Sequence, residues 1–502
     1  MEMKNTKSEI TIKNGFEDQI QEFINKKFNT RTCYKYKEKS KDICHCNRHL
    51  NHHTNKSNSP EEWSYSNNTT LDSCVKFGRI KFSGYPNLPH EHWPKFIRFD
   101  CEEDCDATCR SVYELMTNSS YWNIPDPTMI ISINGGLKNM ESISNHHKKK
   151  FKQGLIDVIK KAPTWVIGSG LSAGIHKLVS EAIYEFRLHH EDMKDQVTLI
   201  GISTWGTIKN NHQLDKKTLQ FEYEYSSYAE KGKVTLDALY DTFLFCDDGT
   251  EKQYDKDEVF RLKFENLVKE KGFLVQILFE GGRRALVNAY KAIQNKVPLV
   301  VIKGSGRVAN MISEVMELPK KKYKNKIEFI VSENRHTLQI STGPREAKEL
   351  EDFTTYLSEM YCNFKKQIVI DDMMDLSEKF DKKILQAMII GVDESLEKTL
   401  DLCIRFNCSN VAEKFVFSDP KYGEQLDPKT IEEMFKRSLK DDKPEFVNLF
   451  VENYFEVNKL ITEDLLIQLY EISFDSEKCL CAELLVELAC KTKRLYILKQ
   501  RN

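Results

Sequence analysis

The chain of 502 residues is 40% hydrophobic and 30% charged, with 74 basic against 76 acidic residues for a net charge of −2. That length exceeds what one hydrophobic core accommodates and predicts two or three domains. Such balanced charge gives no electrostatic case for nucleic acid or an anionic membrane surface as partner.

The opening "MEMKNTKSEITIKNG" is charged and lacks the apolar stretch of a secretory signal. No segment approaches the roughly 18 apolar residues needed to span a bilayer, so a soluble chain is expected. Fourteen cysteines without a signal fit a reducing compartment and mostly free thiols.

Residues 1–75 are rich in Asn, Lys and Ser, and "FEDQIQEFINKKF" is their one helical pattern, so this segment is predicted to be polar and partly disordered. Within it "CHCNRHLNHH" brings Cys44, Cys46, His49, His52 and His53 into ten residues. Cys44, Cys46, His49 and His53 are candidate Zn²⁺ ligands. The alternative is a loop without metal, because Cys-x-Cys is a tight spacing for one tetrahedral ion. "CVKFGRIKFSG" (74–84) alternates as a half-buried strand or hairpin does. "CEEDCDATC" spaces Cys101, Cys105 and Cys109 four apart, as buried thiols on one helix face would be.

Six apolar runs then end at or near glycine: "TMIISINGG" (128–136), "TWVIGSG" (164–170), "VTLIGISTWG" (197–206), "TFLFCDDGT" (242–250), "LVQILFEGG" (274–282) and "VPLVVIKGSG" (297–306). Helical patterns such as "HHKKKFKQGLIDVIKKA", "HKLVSEAIYEFRLHH" and "DEVFRLKFENLVKE" separate most of them. Continuous short apolar runs alternating with amphipathic helices predict an α/β fold, a Rossmann-like doubly wound parallel sheet over residues 76–340. From 345 to 502 helical segments follow one another, which predicts an all-α, ankyrin-like helical repeat domain.

Ligands of such sheets sit at the carboxyl ends of the strands, where these glycines fall. Glycine lets backbone N–H groups approach a phosphate, and the following helix presents its positive N-terminus. Asn134, Gly135 and Gly136 form one candidate cradle, Glu280, Gly281 and Gly282 another, and Gly304, Ser305 and Gly306 a third, to which Arg307 adds a guanidinium. The competing reading is that each glycine only ends a strand. Neither a G-x-x-x-x-G-K-[ST] loop nor a G-x-G-x-x-G after the first strand occurs, which argues against ATPase and dehydrogenase activity. Cys246, Asp247 and Asp248 of "CDDG" could hold a nucleophile or a metal, but such a turn is also common scaffolding. The residues alone reach as far as a phosphate-bearing nucleotide derivative.

Together "ISINGGLKNM", "TWVIGSGLSAGI", "IGISTWGTI", "CDDGTEKQY", "LFEGGRRALVNAY" and "VVIKGSGRVA" resemble, in order, the cytosolic N-terminal region of the melastatin-type transient receptor potential (TRPM) cation channels, above all its ADP-ribose-gated branch. The resemblance covers residues 30–475 and implies a SLOG-type fold that binds its ligand without turning it over, so no enzyme is expected. "DDKPEFVNLFVENYFEVNKLITEDLLIQLYE" resembles the family's third homology region. The implied ligand is ADP-ribose or a similar nucleotide. Tyr254 would contact adenosine, Arg261 and Arg307 would neutralise the pyrophosphate, and Asn134, Gly135, Gly136, Gly281 and Gly282 would line the cleft. The implied partners are other channel subunits in a tetramer, with no nucleic acid, at the cytoplasmic face of the plasma membrane.

Asn134 stands where close relatives carry threonine, and "EGGRRA" replaces the family's "EGGPGT", adding Arg283 and Arg284. Related nucleotide hydrolases follow a P-G-G-x-G-T turn with a glutamate. "LVNAY" here offers no acid. No pore follows the helical part, so a channel fragment or a standalone sensor is expected. The alternatives are a nucleotide-processing enzyme of the SLOG superfamily and an assembly scaffold with a vestigial cleft.

Overall fold

The computed structural model describes residues 18–453 apart from 73–75, 85–91, 103, 137–139, 141–142, 217, 226–229, 322, 341, 374–379, 392–394 and 419–425. Two compact units emerge, Met1–Gly391 and Val392–Asn502. Among the described residues no helix is long and apolar enough to cross a membrane.

The first unit opens with helix α1 (18–27), whose Ile20, Phe23 and Ile24, joined by Phe28, enter one apolar cluster with Phe99, Val112, Trp165 and Phe260. Strand β1 (Thr30–Cys33) leads to the small hairpin β2 (Glu38–Ser40) and β3 (Ile43–Cys44), and then to β4 (Thr69–Asp72), which pairs antiparallel with β1. The buried pair Arg31–Asp100, at 2.8 Å, ties β1 to the body of the unit. Residues 18–72 are therefore folded, which corrects the partly disordered segment expected for residues 1–75. The polar composition misled because the segment's few apolar side chains are spent on the core beside the sheet of the same unit.

The sheet is built from β5 (Lys76–Ser83), β6 (Lys95–Phe99), β7 (Met129–Gly135), β8 (Thr164–Gly168), β9 (Val197–Thr204), β10 (Gln220–Glu224), β11 (Thr242–Cys246), β12 (Phe273–Phe279), β13 (Leu299–Lys303) and β14 (Ile368–Asp372). Their order is β10-β5-β6-β11-β9-β8-β7-β12-β13-β14, with every pairing parallel except β5–β6. The six glycine-terminated runs are the six central strands. β8 and β11 are buried at every residue, whereas β10 alternates exposed and buried as an edge strand does.

After α1, the first unit's longer helices among the described residues are α2 (Cys105–Thr117), α3 (Asn145–Ile159), α4 (Gly174–His189), α5 (Glu258–Val268), α6 (Arg283–Gln294), α7 (Arg307–Met316), α8 (Tyr323–Glu333), α9 (Glu346–Cys362) and α10 (Phe380–Gly391). α6 buries Ala285, Leu286, Ala289, Tyr290 and Ile293 at helical spacing. It packs with α7, α8 and α9 on the face of Leu278, while α3 and α10 meet the opposite face at Phe279, whose ring lies 5.1 Å from that of Phe151. Because β14, α9 and α10 complete this unit, the sheet domain runs past residue 340, and the helical domain does not start at 345 as expected. "QIVIDD" escaped notice because it lacks a terminal glycine and is no longer than a helix segment's apolar stripe.

The second unit holds α11 (Leu396–Arg405), a π-helical turn at Glu413–Phe417, α12 (Pro428–Lys440) and α13 (Pro444–Asn453). α12 and α13 pack together through Phe435 and Phe450, with ring centroids 6.0 Å apart, and Phe417 lies 5.7 Å from Phe450. The expected helix "LLIQLYEI" lies outside the described residues.

Candidate ligand cleft at the strand ends

From β7 the chain proceeds through β8, β9 and β11 on one side, while β12, β13 and β14 lie on the other. Strand order thus reverses between β7 and β12, and the crevice beyond the carboxyl ends of these two strands is where doubly wound sheets hold ligands. β7 and β12 pair in register up to Gly135 opposite Phe279, so "NGG" and "EGG" leave the sheet side by side. A Cβ on Gly136 would strike the Glu280 carboxylate at 2.2 Å, and one on Gly282 would meet Arg307 Nη2 at 2.7 Å. Arg307 lies 3.7 Å from Glu280 Oε1. Gly136, Glu280, Gly281, Gly282 and Arg307 therefore share one rim, and Ser305 joins it because its Oγ accepts from the Glu280 N–H at 2.8 Å.

This rim is filled by the protein's own groups. Asn310 Oδ1 accepts from the N–H groups of Gly304 (2.8 Å) and Gly306 (3.2 Å), in the manner of an anion oxygen. The first amides of α7 are also engaged: Val308 donates to the Gly281 carbonyl and Ala309 to that of Glu280. An anion reaching the "GSGR" turn has to displace Asn310.

Beside the rim an open cleft is lined by Asn134, Asp255, Asp257, Glu258, Arg261, Glu265, Asn288 and Lys291 among others. Arg261 lies across the strand ends: Nη2 donates to the Ile133 carbonyl at 2.8 Å, to that of Ile167 at 3.3 Å and to Ser132 Oγ at 3.0 Å, and Nε donates to Glu265 at 2.8 Å. The structure thus brings Arg261 and Asn134 into the cleft, and Arg307 with the glycine turns onto the neighbouring rim. Asn134 spends its amide hydrogens on Gln276 (3.1 Å) and the Ala285 carbonyl (2.9 Å).

Tyr254 is half-buried ahead of α5, with the Arg284 guanidinium 5.2 Å from its ring centroid, and Arg284 also pairs with Asp255. Arg283 turns instead to Glu349 and Phe353 of α9. The two added arginines thus separate, and only Arg284 borders the cleft.

Several site residues carried no signal in the sequence. Burial raises Asp255 to about 7 and also raises Asp257, whose carboxylate accepts from Thr204 Oγ1 at 2.6 Å. His176 in the first turn of α4 is buried, and desolvation with the nearby Arg261 charge lowers it to about 3. Its Nδ1 accepts from the Ser169 N–H at 3.2 Å, which fixes the neutral ring against the Gly168–Gly170 turn. The Tyr240 hydroxyl is buried against the same turn. Only Glu265 could have been found, as the i+4 partner of Arg261.

"CDDG" is scaffolding. Asp247 pairs with Arg98 at 2.6 Å, and Asp248 receives the Tyr65 hydroxyl at 3.0 Å and Lys256 at 3.4 Å. Cys105 and Cys109 are buried on α2 as expected, whereas Cys101 precedes that helix.

Two family models match the chain: SLOG in TRPM at residues 94–342, and a TRPM2-like domain at residues 416–499. Rat transient receptor potential cation channel subfamily M member 2 is 29% identical over 461 residues, which is 87% of this chain and 30% of the relative. The Nematostella vectensis member-like 2 protein is 27% identical over 477 residues, 89% of this chain and 30% of the relative. Mouse member 6 is 25% identical over 483 residues, 88% of this chain and 23% of the relative. The chain thus spans less than a third of the length of these relatives. With both domains in the family's order, and relatives matched over most of its own length, the chain belongs to the melastatin-type transient receptor potential (TRPM) family.

Proposed function

We propose that this chain is the ligand-sensing cytosolic region of a TRPM-type cation channel, and that the β7/β12 crevice takes a nucleotide diphosphate of the ADP-ribose type. The observation that carries the reading is the coincidence of three glycine turns and two guanidiniums, Arg261 and Arg307, with the reversal point of the sheet. Tyr254 and Arg284 at the cleft mouth offer a flat surface for adenine. The pyrophosphate replaces Asn310 Oδ1 at the "GSGR" amides and draws Arg307 away from Glu280. No acid occupies a hydrolytic position after "EGG", so the domain binds its ligand and releases it unchanged. Assembly with further channel subunits at the cytoplasmic face of the plasma membrane follows from the same reading.

Calorimetric titration of the purified chain with ADP-ribose, AMP and NAD tests it. Arg307→Ala and Arg261→Ala each weaken ADP-ribose binding by about 1.5–3 kcal/mol, the worth of a charged hydrogen bond. Because Arg261 also ties strand ends together, a thermal melt of each variant separates lost binding from lost fold. Undiminished affinity in both variants, or no heat with any of the three nucleotides, sinks the proposal.

A further inference from the structure

Outside the cleft, the folded N-terminal segment gathers four buried side chains, Cys33, Cys44, Cys46 and His53, whose ligand atoms all lie within 4.8 Å of one another. A tetrahedral Zn²⁺ with Zn–S bonds of about 2.3 Å places neighbouring sulfurs about 3.8 Å apart, so closure around an ion needs a shift of only about 1 Å. We propose that these four residues bind one structural Zn²⁺ ion, which pins the N-terminal segment and braces the loop leading into the ligand cleft. The site is independent of which ligand that cleft takes.

Three observations carry the assignment. First, His53 is already oriented as a metal ligand: its Nδ1 lies 3.1 Å from the His49 carbonyl, to which it donates, leaving the Nε2 lone pair aimed at the thiols, 3.2 Å from Cys46 Sγ. Second, N–H groups point at the sulfurs, Lys37 N at 3.4 Å from Cys44 Sγ and Trp63 Nε1 at 3.5 Å from Cys33 Sγ, as suits thiolates, whereas neutral thiols accept weakly. Third, among the described residues only Tyr36, Leu50 and Trp63 supply apolar packing around the cysteines, and small folds of this kind generally need a metal or disulfides.

Three thiolates and an imidazole in a closed tetrahedral set select Zn²⁺, and four protein ligands leave no open position for catalysis. His49, expected from the sequence as a ligand, is instead a cap: its Nδ1 accepts from the Asn51 N–H at 3.2 Å. Cys33, eleven positions before Cys44, takes the fourth place, its sulfur within 4.8 Å of the ligand atoms of the other three. The metal knuckle also touches the cleft loop. Glu251 N–H donates to the Cys46 carbonyl (2.8 Å), Asn47 Nδ2 to the Glu251 carbonyl (2.7 Å) and Gln253 Nε2 to the His45 carbonyl (3.0 Å), just ahead of Tyr254.

The experiment measures metal content of the full chain, purified under reducing conditions, by plasma mass spectrometry. About one Zn²⁺ per chain is expected, retained by His49→Ala and lost by Cys33→Ser and Cys46→Ser. Should those serine variants fail to fold, the wild-type chain decides alone. Alkylation without denaturant should spare Cys33, Cys44 and Cys46 until a chelator is added, and Co²⁺ added to the chelated, reduced chain should give the intense thiolate-to-metal absorption of a tetrahedral site. Wild-type protein that holds no Zn²⁺ and gives no such band, full metal retention by Cys33→Ser, or a disulfide among these cysteines in the reduced chain each overturns the proposal.

Discussion

At the residue scale the cleft sets two titrating groups against each other. His176 is held near 3 by burial and by Arg261, against 6.5 for a free imidazole. Between those values the unfolded chain binds a proton that the folded one refuses, so the stability contributed by neutral His176 is present above about pH 6.5 and lost as pH falls, by at most about 1.4 kcal/mol per pH unit. Asp255 acts oppositely. Burial raises it to about 7 from 3.8, so the folded chain holds a proton that the unfolded one releases, and its contribution is lost as pH rises through that window. Its slope is shallower than the ceiling because its side chain is 35% exposed. Denaturant midpoints measured from pH 4.5 to 7.5 should therefore diverge: His176→Asn flattens the rise of stability with pH, and Asp255→Asn steepens it. Parallel curves for both variants and the parent would contradict these environments. Neither group is legible in the sequence, since "GIHKL" and "YDKDE" look like any helix start until the fold buries them.

At the element scale α3 and α10 approach too closely for any side chain at Gly154. A Cβ there would lie 2.7 Å from Phe380 Cβ and 2.9 Å from its Cδ1. Alanine improves intrinsic helix propensity by about 1 kcal/mol, while overpacking a buried contact costs about 1–3 kcal/mol. The second effect equals or exceeds the first, so Gly154→Ala should lower stability by up to about 2 kcal/mol. A stabilised variant would mean that α10 does not pack on α3. The central strands were readable because each is a continuous apolar run punctuated by glycine. β6, β10 and β14 were not, for no glycine ends them. Edge position lets β10 expose every second residue, which weakens its hydrophobic signal further.

At the scale of the whole molecule, the domain boundary is a matter of which core the C-terminal helices cover. Phe353, Leu357, Met360, Tyr361 and Ile368 are buried in one cluster with α6, α7 and β13. At about 1.5–3 kcal/mol for each large apolar side chain, their removal costs on the order of 10 kcal/mol, comparable to the full stability of a typical domain. A chain ending at residue 340 should therefore aggregate or melt without cooperativity, and one ending at 391 should melt as a unit. Cooperative melting of the shorter chain would restore the boundary expected from the sequence.

Composition and periodicity determined by themselves that this protein has a glycine-edged parallel sheet followed by helices, because strand and helix periods are local properties of a few consecutive residues. The "GSGR" motif also put Arg307 at a strand end, whereas Arg261 was named only through the family resemblance, on a helical segment. Only the tertiary structure decided that Asn310 fills the "GSGR" turn, that carboxylates from α5 crowd Arg261, that β14 belongs to the sheet, and that Cys33 displaces His49 from the thiol cluster. Each of these joins segments that approach only when the chain is folded, and burial and charge at the meeting points depend on groups that no local pattern records.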